Sequence, residues 1–251
     1  MMKGLASFPM YERKELEAPH HELWSLIRLG MDSKRLKAPP NLTTGDRGTS
    51  IWTEEGLVIS QTCGLPLRTF LKGKVSYIGT PIYDLENCPP GYYRSVFIVN
   101  QNNKSIDIKD FNNKKFAFNG YDSQSGYAAP YNYFLGLNSW FSELILSGSH
   151  RNSALMVANG KADIACIDEI SWELIKRFDK FSSSLVEIEK TNPTPALPFI
   201  TVKYGKEVPY LFDILEAAIK NLSSTSSKIL LLKGLKRIDL EKYYEVPNPK
   251  L

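Results

Sequence analysis

The sequence contains few cysteines and few histidines, three of each among 251 residues. The cysteines are odd in number and none forms a CxxC pair, which argues against a disulfide framework and against a structural zinc site. The three histidines are scattered and build no clustered His/Cys set. We therefore predict no metal site and no cofactor. The cysteines are Cys63, Cys88 and Cys166.

Long apolar runs and dense basic blocks are also missing. No stretch of about 18 apolar residues predicts a membrane-spanning helix. The net charge of +4 is mild, and Lys and Arg form no cluster that predicts nucleic-acid binding. The N-terminal MMKGLASFPMY lacks the apolar core of a secretory leader. The sequence as written therefore predicts a cytoplasmic protein, or a periplasmic one whose leader was removed.

Strand candidates and helix candidates alternate along the chain. Strands are predicted at 4–10, 57–60, 75–79, 93–100, 115–118, 162–167 and 199–202. Helices are predicted to start at Pro19 and Pro209, with a last helix at 227–235, and the first carries Leu23, Trp24, Ile27 and Met31 at helical spacing. This alternation favours parallel sheets flanked by helices. In such folds ligands bind beyond the carboxyl ends of the strands.

Two serine-rich turns precede predicted helices in the middle of the chain. A helix N-terminus offers unbonded N–H groups and a partial positive charge, and glycine permits close approach of a ligand. Both turns therefore suit a compact oxyanion. The residues are Ser123, Gln124, Ser125 and Gly126 in the first turn, with Ser149, His150 and Ser153 as further donors, His150 also as a candidate cation. The structural interpretation, in which Ser125 and Ser149 are ordinary N-caps, stays open.

Catalytic chemistry is not predicted from the residues. Cys63 and His150 are of the types that form a nucleophile and a base, but nothing in the sequence orients such a pair. Cys88 and Cys166 are predicted to be packing residues. Asp168 either caps the helix that follows it or contacts a ligand. We expect no catalytic residue.

Five motifs together resemble one protein family. They are QTCG-x-P at 61–66, GTP-x-Y at 79–83, SQSGY at 123–127, SGSH-x-x-S at 147–153 and ADIA-x-ID at 162–168. Their order is similar to that of phosphonate/phosphate-type substrate-binding proteins of ABC importers. The resemblance implies a two-lobed α/β fold of the type II periplasmic-binding-protein class, each lobe a mainly parallel sheet flanked by helices. Lobe 1 would be 1–96 plus 199–251 and lobe 2 would be 97–198, with hinge strands near 94–99 and 197–202.

The resemblance also implies a ligand site. In the second lobe, the oxyanion would contact residues of both serine-rich turns. The first lobe would contribute the turns at its strand ends, and an acidic residue would take an ammonium group of the ligand. These positions are Ser123, Ser125, Gly126, Tyr127, His150 and Ser153 in lobe 2, Tyr11, Gln61, Thr62, Thr80 and Tyr83 in lobe 1, and Asp168 or Glu169 as the acid.

The function implied by the resemblance is that of a non-enzymatic solute-binding protein that closes on a small oxyanion. The ligand would be a phosphonate, a phosphate ester or a related anion. Its partners would be an ABC permease and an ATPase. Two alternatives stay open: an enzyme on the same fold, similar to pyrimidine-precursor synthases, and a ligand-sensing domain that regulates a partner.

Overall fold

The computed structural model describes residues 4–45 and 47–250. Its strands are β1 Leu5–Ser7, β2 Leu57–Gln61, β3 Ser76–Tyr83, β4 Tyr92–Tyr93, β5 Ser95–Asn100, β6 Lys115–Phe118, β7 Glu143–Leu146, β8 Ile164–Asp168, β9 Leu185–Lys190, β10 Thr194–Pro195, β11 Phe199–Thr201 and β12 Leu232–Lys236. Its α-helices are α1 Glu17–Ser33, α2 Gly64–Arg68, α3 Ala129–Leu135, α4 His150–Ala158, α5 Glu169–Phe178, α6 Val208–Lys220, α7 Ser224–Leu230 and α8 Glu241–Tyr244. None of the helices in these ranges is long and apolar enough to cross a membrane.

The chain forms two compact units. Unit 1 consists of Met1–Tyr92 and Pro195–Tyr244, and unit 2 of Tyr93–Thr194 and Glu245–Leu251. The sequence places residues 245–251 in the first lobe, whereas the structure assigns them to unit 2. One contact that explains this is the hydrogen bond from Asn132 Nδ2 to the Pro247 carbonyl, at 2.9 Å.

The first helix follows from its apolar spacing. The four apolar residues predicted to share one face, with Pro19, are the buried residues of α1. Burying one large apolar side chain contributes about 1.5–3 kcal/mol, so this face alone fixes the helix against unit 1. The prediction of a helix from this region is confirmed, with its start two residues before Pro19.

The sheet of unit 1 is mixed in direction. Its order is β1-β2-β11-β3-β12. Strands β1 and β2 are parallel, and β11 lies between β2 and β3, antiparallel to both. Strands β1, β2 and β3 therefore run in the same direction, and their carboxyl ends share one edge of the sheet. The expectation of a mainly parallel sheet is wrong here, because β11 and β12 both run against β3.

The predicted helix at 227–235 is wrong in its second half. Helix α7 ends at Leu230, and Leu231 adopts a left-handed conformation with φ of 55°. The chain then continues as β12, which pairs with β3. An apolar run of this length fits a helix or a strand equally well, and the free edge of β3 decides the outcome.

The sheet of unit 2 gathers four strand ends at one edge. Its order is β7-β6-β8-β5-β9. Strand β6 is parallel to β7 and β8, and β5 is antiparallel to β8 and β9. Strands β6, β7, β8 and β9 therefore share a direction that β5 opposes. Their carboxyl ends lead into residues 119–126, 147–150 and 168–169, and β9 ends at Lys190.

Aromatic packing anchors this sheet. Phe97 of β5 and Phe116 of β6 are fully buried, and so is Phe134 of α3. The rings of Phe116 and Phe141 stack with centroids 4.3 Å apart. Because β6 is fixed in this core, the turn that follows it has a rigid base.

Candidate functional site

The first serine-rich turn is capped by Ser123. The Ser123 Oγ accepts a hydrogen bond from the backbone N–H of Gly126, at 3.0 Å. The chain then forms a π-helical turn, Gln124–Ala128, that leads directly into α3. The cap interpretation is therefore wrong for Ser125, whose hydroxyl is left for another contact. It is confirmed for Ser149, which caps α4 by accepting from the Asn152 N–H at 3.1 Å.

Ser125 and His150 connect the two serine-rich turns. The Ser125 Oγ lies 2.8 Å from His150 Nε2, and the Ser125 side chain is buried. The other ring nitrogen, Nδ1, is buried and has no hydrogen-bond partner among the described residues. Burial lowers the pKa of His150 to about 4, so the ring is neutral at pH 7. The structure thus corrects the idea of a cationic His150: the ring offers one N–H donor and one acceptor.

Gly126 lies in close contact with the Asn119 side chain. A Cβ atom at this position would lie 1.8 Å from Asn119 Oδ1 and 3.2 Å from His150 Cε1. Asn119 Oδ1 is itself buried and, within residues 4–45 and 47–250, has no hydrogen-bond partner. The sequence analysis did not select Asn119. The available signal was its position directly after β6, at the edge where the strand ends converge.

Two aromatic rings pack against each other beside the turn. Phe118 ends β6 and Tyr127 lies within the π-helical turn, and their ring centroids are 5.4 Å apart. Tyr127 belongs to the aromatic core, and its pKa is raised by burial and by the neighbouring Tyr121 and Tyr131. Gln124, also predicted for the site, is buried in the turn. The structure thus gives Tyr127 a packing role beside the turn.

The end of β8 carries two acidic residues with different environments. Asp168 caps α5, its Oδ1 accepting from the Ser171 N–H at 2.7 Å. Glu169 is buried, and its Oε1 forms an ion pair with Lys190 Nζ at 2.7 Å. Its Oε2 is buried without a hydrogen-bond partner in the part of the chain that the structure describes. Lys190 was missed because no strand was predicted at 185–190, where charged residues interrupt the apolar pattern.

In unit 1, four predicted residues form a contiguous group. The Tyr11 and Tyr83 rings meet edge to face, with centroids 5.8 Å apart. Gln61 Nε2 donates to the Tyr83 hydroxyl at 2.8 Å and to the Leu197 carbonyl at 3.0 Å. Thr62 Oγ1 is buried and has no hydrogen-bond partner among the residues described. Strand ends β1, β2 and β3 thus bring these side chains to one edge of the unit 1 sheet.

Two predicted residues have hydroxyls that are already hydrogen-bonded within the protein. Thr80 is fully buried, with its hydroxyl 2.7 Å from the Tyr77 hydroxyl and 2.6 Å from the Tyr243 hydroxyl. Ser153 is also fully buried, and its hydroxyl lies 2.6 Å from that of Ser147. Both hydroxyls therefore have hydrogen-bond partners inside their own units.

Unit 1 also contains a cavity of about 320 Å³. Its walls include Phe8 and Glu12, which flank Tyr11 in sequence, and the N-terminal part of α1. The ring of His20 lies 5.6 Å from that of Phe8, and burial together with the charge of His21 lowers the pKa of His20 to about 4. No group of three or more His, Cys, Asp or Glu residues suited to a metal ion occurs among the described residues.

Comparison with known proteins identifies the family. A family profile described as the phosphonate periplasmic substrate-binding protein of ABC transporters matches residues 78–243, more than half of the chain. The chain belongs to this family. A comparison with curated protein sequences gives no match.

Solved structures share the fold of this substrate-binding protein at low sequence identity. PhnD1 from Prochlorococcus marinus, in complex with methylphosphonate, is 18% identical with a TM-score of 0.73, covering 96% of this chain and 94% of that one. A binding protein component of an ABC phosphonate transporter from Pseudomonas aeruginosa is 16% identical with a TM-score of 0.72, covering 97% and 84%. A Xanthomonas citri protein bound to ATP is 14% identical with a TM-score of 0.70, covering 97% and 96%. The predicted two-lobe α/β class is confirmed, with mixed sheets.

We predict that the stability of this substrate-binding protein falls as the pH drops from 6.5 to 4. The pKa values of His20 and His150 are both lowered to about 4 from 6.5, so across this range the unfolded chain binds more protons than the folded one. Between pH 7 and pH 5 the free energy of unfolding should decrease by on the order of 1–2 kcal/mol for each histidine. Urea unfolding at both pH values measures it. In a His150→Gln variant the decrease in the free energy of unfolding between pH 7 and pH 5 should be about half of that in the native protein. If the variant and the native protein showed the same decrease, the lowered pKa of His150 would be contradicted.

Proposed function

We propose that the chain binds a small ligand bearing a phosphonate or a related oxyanion, that Ser125 and Gly126 contact the oxyanion, and that His150 positions the Ser125 hydroxyl. The observation that supports this most is the 2.8 Å contact between Ser125 and His150 at the start of a helix. It presents a hydroxyl beside the N–H groups of the first helical turn, which attract anions. The fold is shared with proteins whose structures hold methylphosphonate or ATP, both of which carry phosphorus oxyanions.

The hydroxyl of Ser125 is the key donor in this proposal. If His150 Nε2–H donates to Ser125 Oγ, the serine proton is directed to the ligand. Burial holds the His150 ring neutral before a ligand binds, so the hydrogen bonds of the turn and the helix dipole are what first attract the anion. A buried anion requires a donor for each of its oxygens, and hydrogen bonds to charged groups are the strong ones.

Transport is the setting that the family supports. We propose that the chain delivers its ligand to an ABC permease coupled to an ATPase, and that it acts in the periplasm, as its family does. The predicted ligand contacts of unit 1 in this proposal are Tyr11, Gln61, Thr62 and Tyr83, which form one group.

Binding without catalysis is part of the proposal. A serine 2.8 Å from a histidine has the spacing of a nucleophile and its base. A catalytic base also needs an orienting partner and a pKa near the working pH. His150 Nδ1 has no such partner among the described residues, and its pKa of about 4 makes the ring a weak base at pH 7.

A thermal-unfolding screen tests the function. The probes are methylphosphonate, phosphite, phosphate, a phosphate ester and methylsulfonate. A ligand at a hundred times its Kd stabilises the folded state by about 2.7 kcal/mol, which corresponds to an increase in Tm of about 5–10 °C at this chain length. We expect such an increase with at least one phosphorus oxyanion. No increase with any of them at millimolar concentration would overturn the proposed function.

A further inference from the structure

The environment of Glu169 indicates which chemical group of a ligand could bind beside it. One carboxylate oxygen, Oε1, is paired with Lys190 at 2.7 Å, and Lys190 Nζ also lies 3.3 Å from Glu187. The other oxygen, Oε2, is buried and, among the described residues, accepts no hydrogen bond. Glu169 is only 3% exposed. A buried acceptor without a donor is costly, so this oxygen is available to a group from a ligand.

The fold places this oxygen at the edge that carries Ser125. Glu169 follows β8 and the serine-rich turn follows β6, and these two strands are parallel neighbours. Neighbouring strands are about 5 Å apart, so the two turns begin side by side. Lys190 is the last residue of β9, which runs in the same direction and reaches the same edge. The turn Gln124–Ala128, which carries Ser125, also packs against β8, so a small ligand bound at Ser125 would meet the edge of the sheet at which Glu169 begins α5.

The ion pair decides which donor fits. Lys190 is about one third exposed and its pKa stays high: partial burial lowers it, but the hydrogen bonds and charges of Glu169 and Glu187 outweigh burial and raise it above the usual value. Glu187, which Lys190 meets at the longer distance of 3.3 Å, is about 30% exposed, so water screens its charge. The charge of the buried Glu169 carboxylate is therefore balanced mainly by Lys190. A second cation at Oε2 would be repelled by Lys190, whereas a hydroxyl would complete the hydrogen bonding of Oε2 without adding charge.

We propose that Glu169 and Lys190 together select an oxyanion ligand with a neutral hydroxyl group and discriminate against one with an ammonium group. This inference rests on the proposed function and names its substrate class. It differs from the expectation in the sequence analysis that an acid at this position takes an ammonium group. Lys190 is the specificity-determining residue, because it neutralises the carboxylate charge of Glu169.

The test compares hydroxymethylphosphonate with aminomethylphosphonate, which have the same number of heavy atoms and differ in OH against NH₃⁺. Calorimetric titration at pH 7 gives a Kd for each, with methylphosphonate as the reference. In the native sequence we expect hydroxymethylphosphonate to bind at least about tenfold more tightly than aminomethylphosphonate, which corresponds to about 1.4 kcal/mol. In Lys190→Gln the preference for hydroxymethylphosphonate over aminomethylphosphonate should fall at least about fivefold, or reverse. The reason is that the Glu169 carboxylate then has no paired cation and attracts the ammonium group.

Two variants control the test. Glu187→Gln removes the second carboxylate near Lys190 and leaves the Glu169 pair in place, so the native ratio should be kept. Lys190→Arg keeps the cation and should also keep the ratio. Because each result is a ratio of two phosphonates, a general loss of affinity in a variant cancels.

The outcomes separate this inference from the proposed function. If none of the three phosphonates binds the native chain, this inference fails, and the proposed function fails with it only if phosphite, phosphate and the phosphate ester also give no increase in Tm. If phosphonates bind but aminomethylphosphonate binds as tightly as hydroxymethylphosphonate, the function stands and the inference is overturned. A native preference for the hydroxyl that Lys190→Gln leaves unchanged would overturn the role of Lys190.

Discussion

Ser125→Ala is expected to lower the affinity for methylphosphonate by about 10- to 100-fold. A hydrogen bond to a charged group contributes about 1.5–3 kcal/mol, and each 1.4 kcal/mol is a factor of ten in Kd. His150 contacts Ser125 through Nε2, so its effect on the ligand passes through the serine hydroxyl. Adding His150→Ala to Ser125→Ala should therefore lower the affinity only a few-fold further. Calorimetric titration of the native chain, both single variants and the double variant measures this coupling.

Ser153→Ala is the matched control for that experiment. Ser153 is a buried serine of the same unit, but its hydroxyl bonds to Ser147, 2.6 Å away. The affinity of the Ser153→Ala variant for methylphosphonate should stay within about twofold of the native value, since the Ser153 hydroxyl bonds to Ser147 and not to Ser125. The site assignment would be contradicted if Ser125→Ala bound as tightly as Ser153→Ala.

Gly126→Ala is expected to reduce the affinity by about 100-fold or more and to lower the Tm. A Cβ atom would stand 1.8 Å from Asn119 Oδ1, which is too short for two non-bonded heavy atoms, so Asn119 or the turn must move. Displacing the turn moves the Ser125 hydroxyl away from the ligand, and overpacking typically costs about 1–3 kcal/mol. Thermal unfolding and calorimetric titration of the same sample measure both effects.

A second glycine and a second substitution control this prediction. Gly136 has helical φ and ψ of −63° and −19°. A Cβ atom added at Gly136 would have the Tyr133 carbonyl oxygen as its nearest neighbour, at 3.3 Å. Gly136→Ala should therefore bind methylphosphonate normally. Asn119→Ala in the Gly126→Ala background removes the obstructing amide and should restore most of the Tm. Native affinity in Gly126→Ala would show that the turn does not contact the ligand.

The elements that sequence could predict are those with a strong local signal. Helix α1 has its apolar residues at helical spacing, and Asp168 sits where an N-cap of α5 belongs. The serine-rich turns were also identified from residue type alone. The division of roles between Ser123 and Ser125 was not, because both are compatible with a cap and only the π-helical turn decides between them.

The features that sequence could not predict depend on contacts between distant segments. Strand β11 lies between β2 and β3, and this pairing has no local signal. The Glu169–Lys190 pair joins residues that are 21 positions apart. Lys190 lies on β9, whose charged residues hide the apolar pattern of a strand. The position of Asn119 directly after β6 could be predicted, but the contact of its amide with Gly126 could not. The part of the site that determines charge selection was therefore hidden until the topology of unit 2 was known.

The central claim is that the first serine-rich turn contacts the oxyanion, and a crystal structure of the chain with methylphosphonate tests it most directly. The account predicts a phosphonate oxygen at about 2.5–3.0 Å from Ser125 Oγ, the distance of a hydroxyl-to-anion hydrogen bond. It also predicts that His150 Nε2 stays in contact with that serine, at the 2.8 Å of the present structure. A phosphonate bound elsewhere, with Ser125 and His150 untouched, would contradict the account.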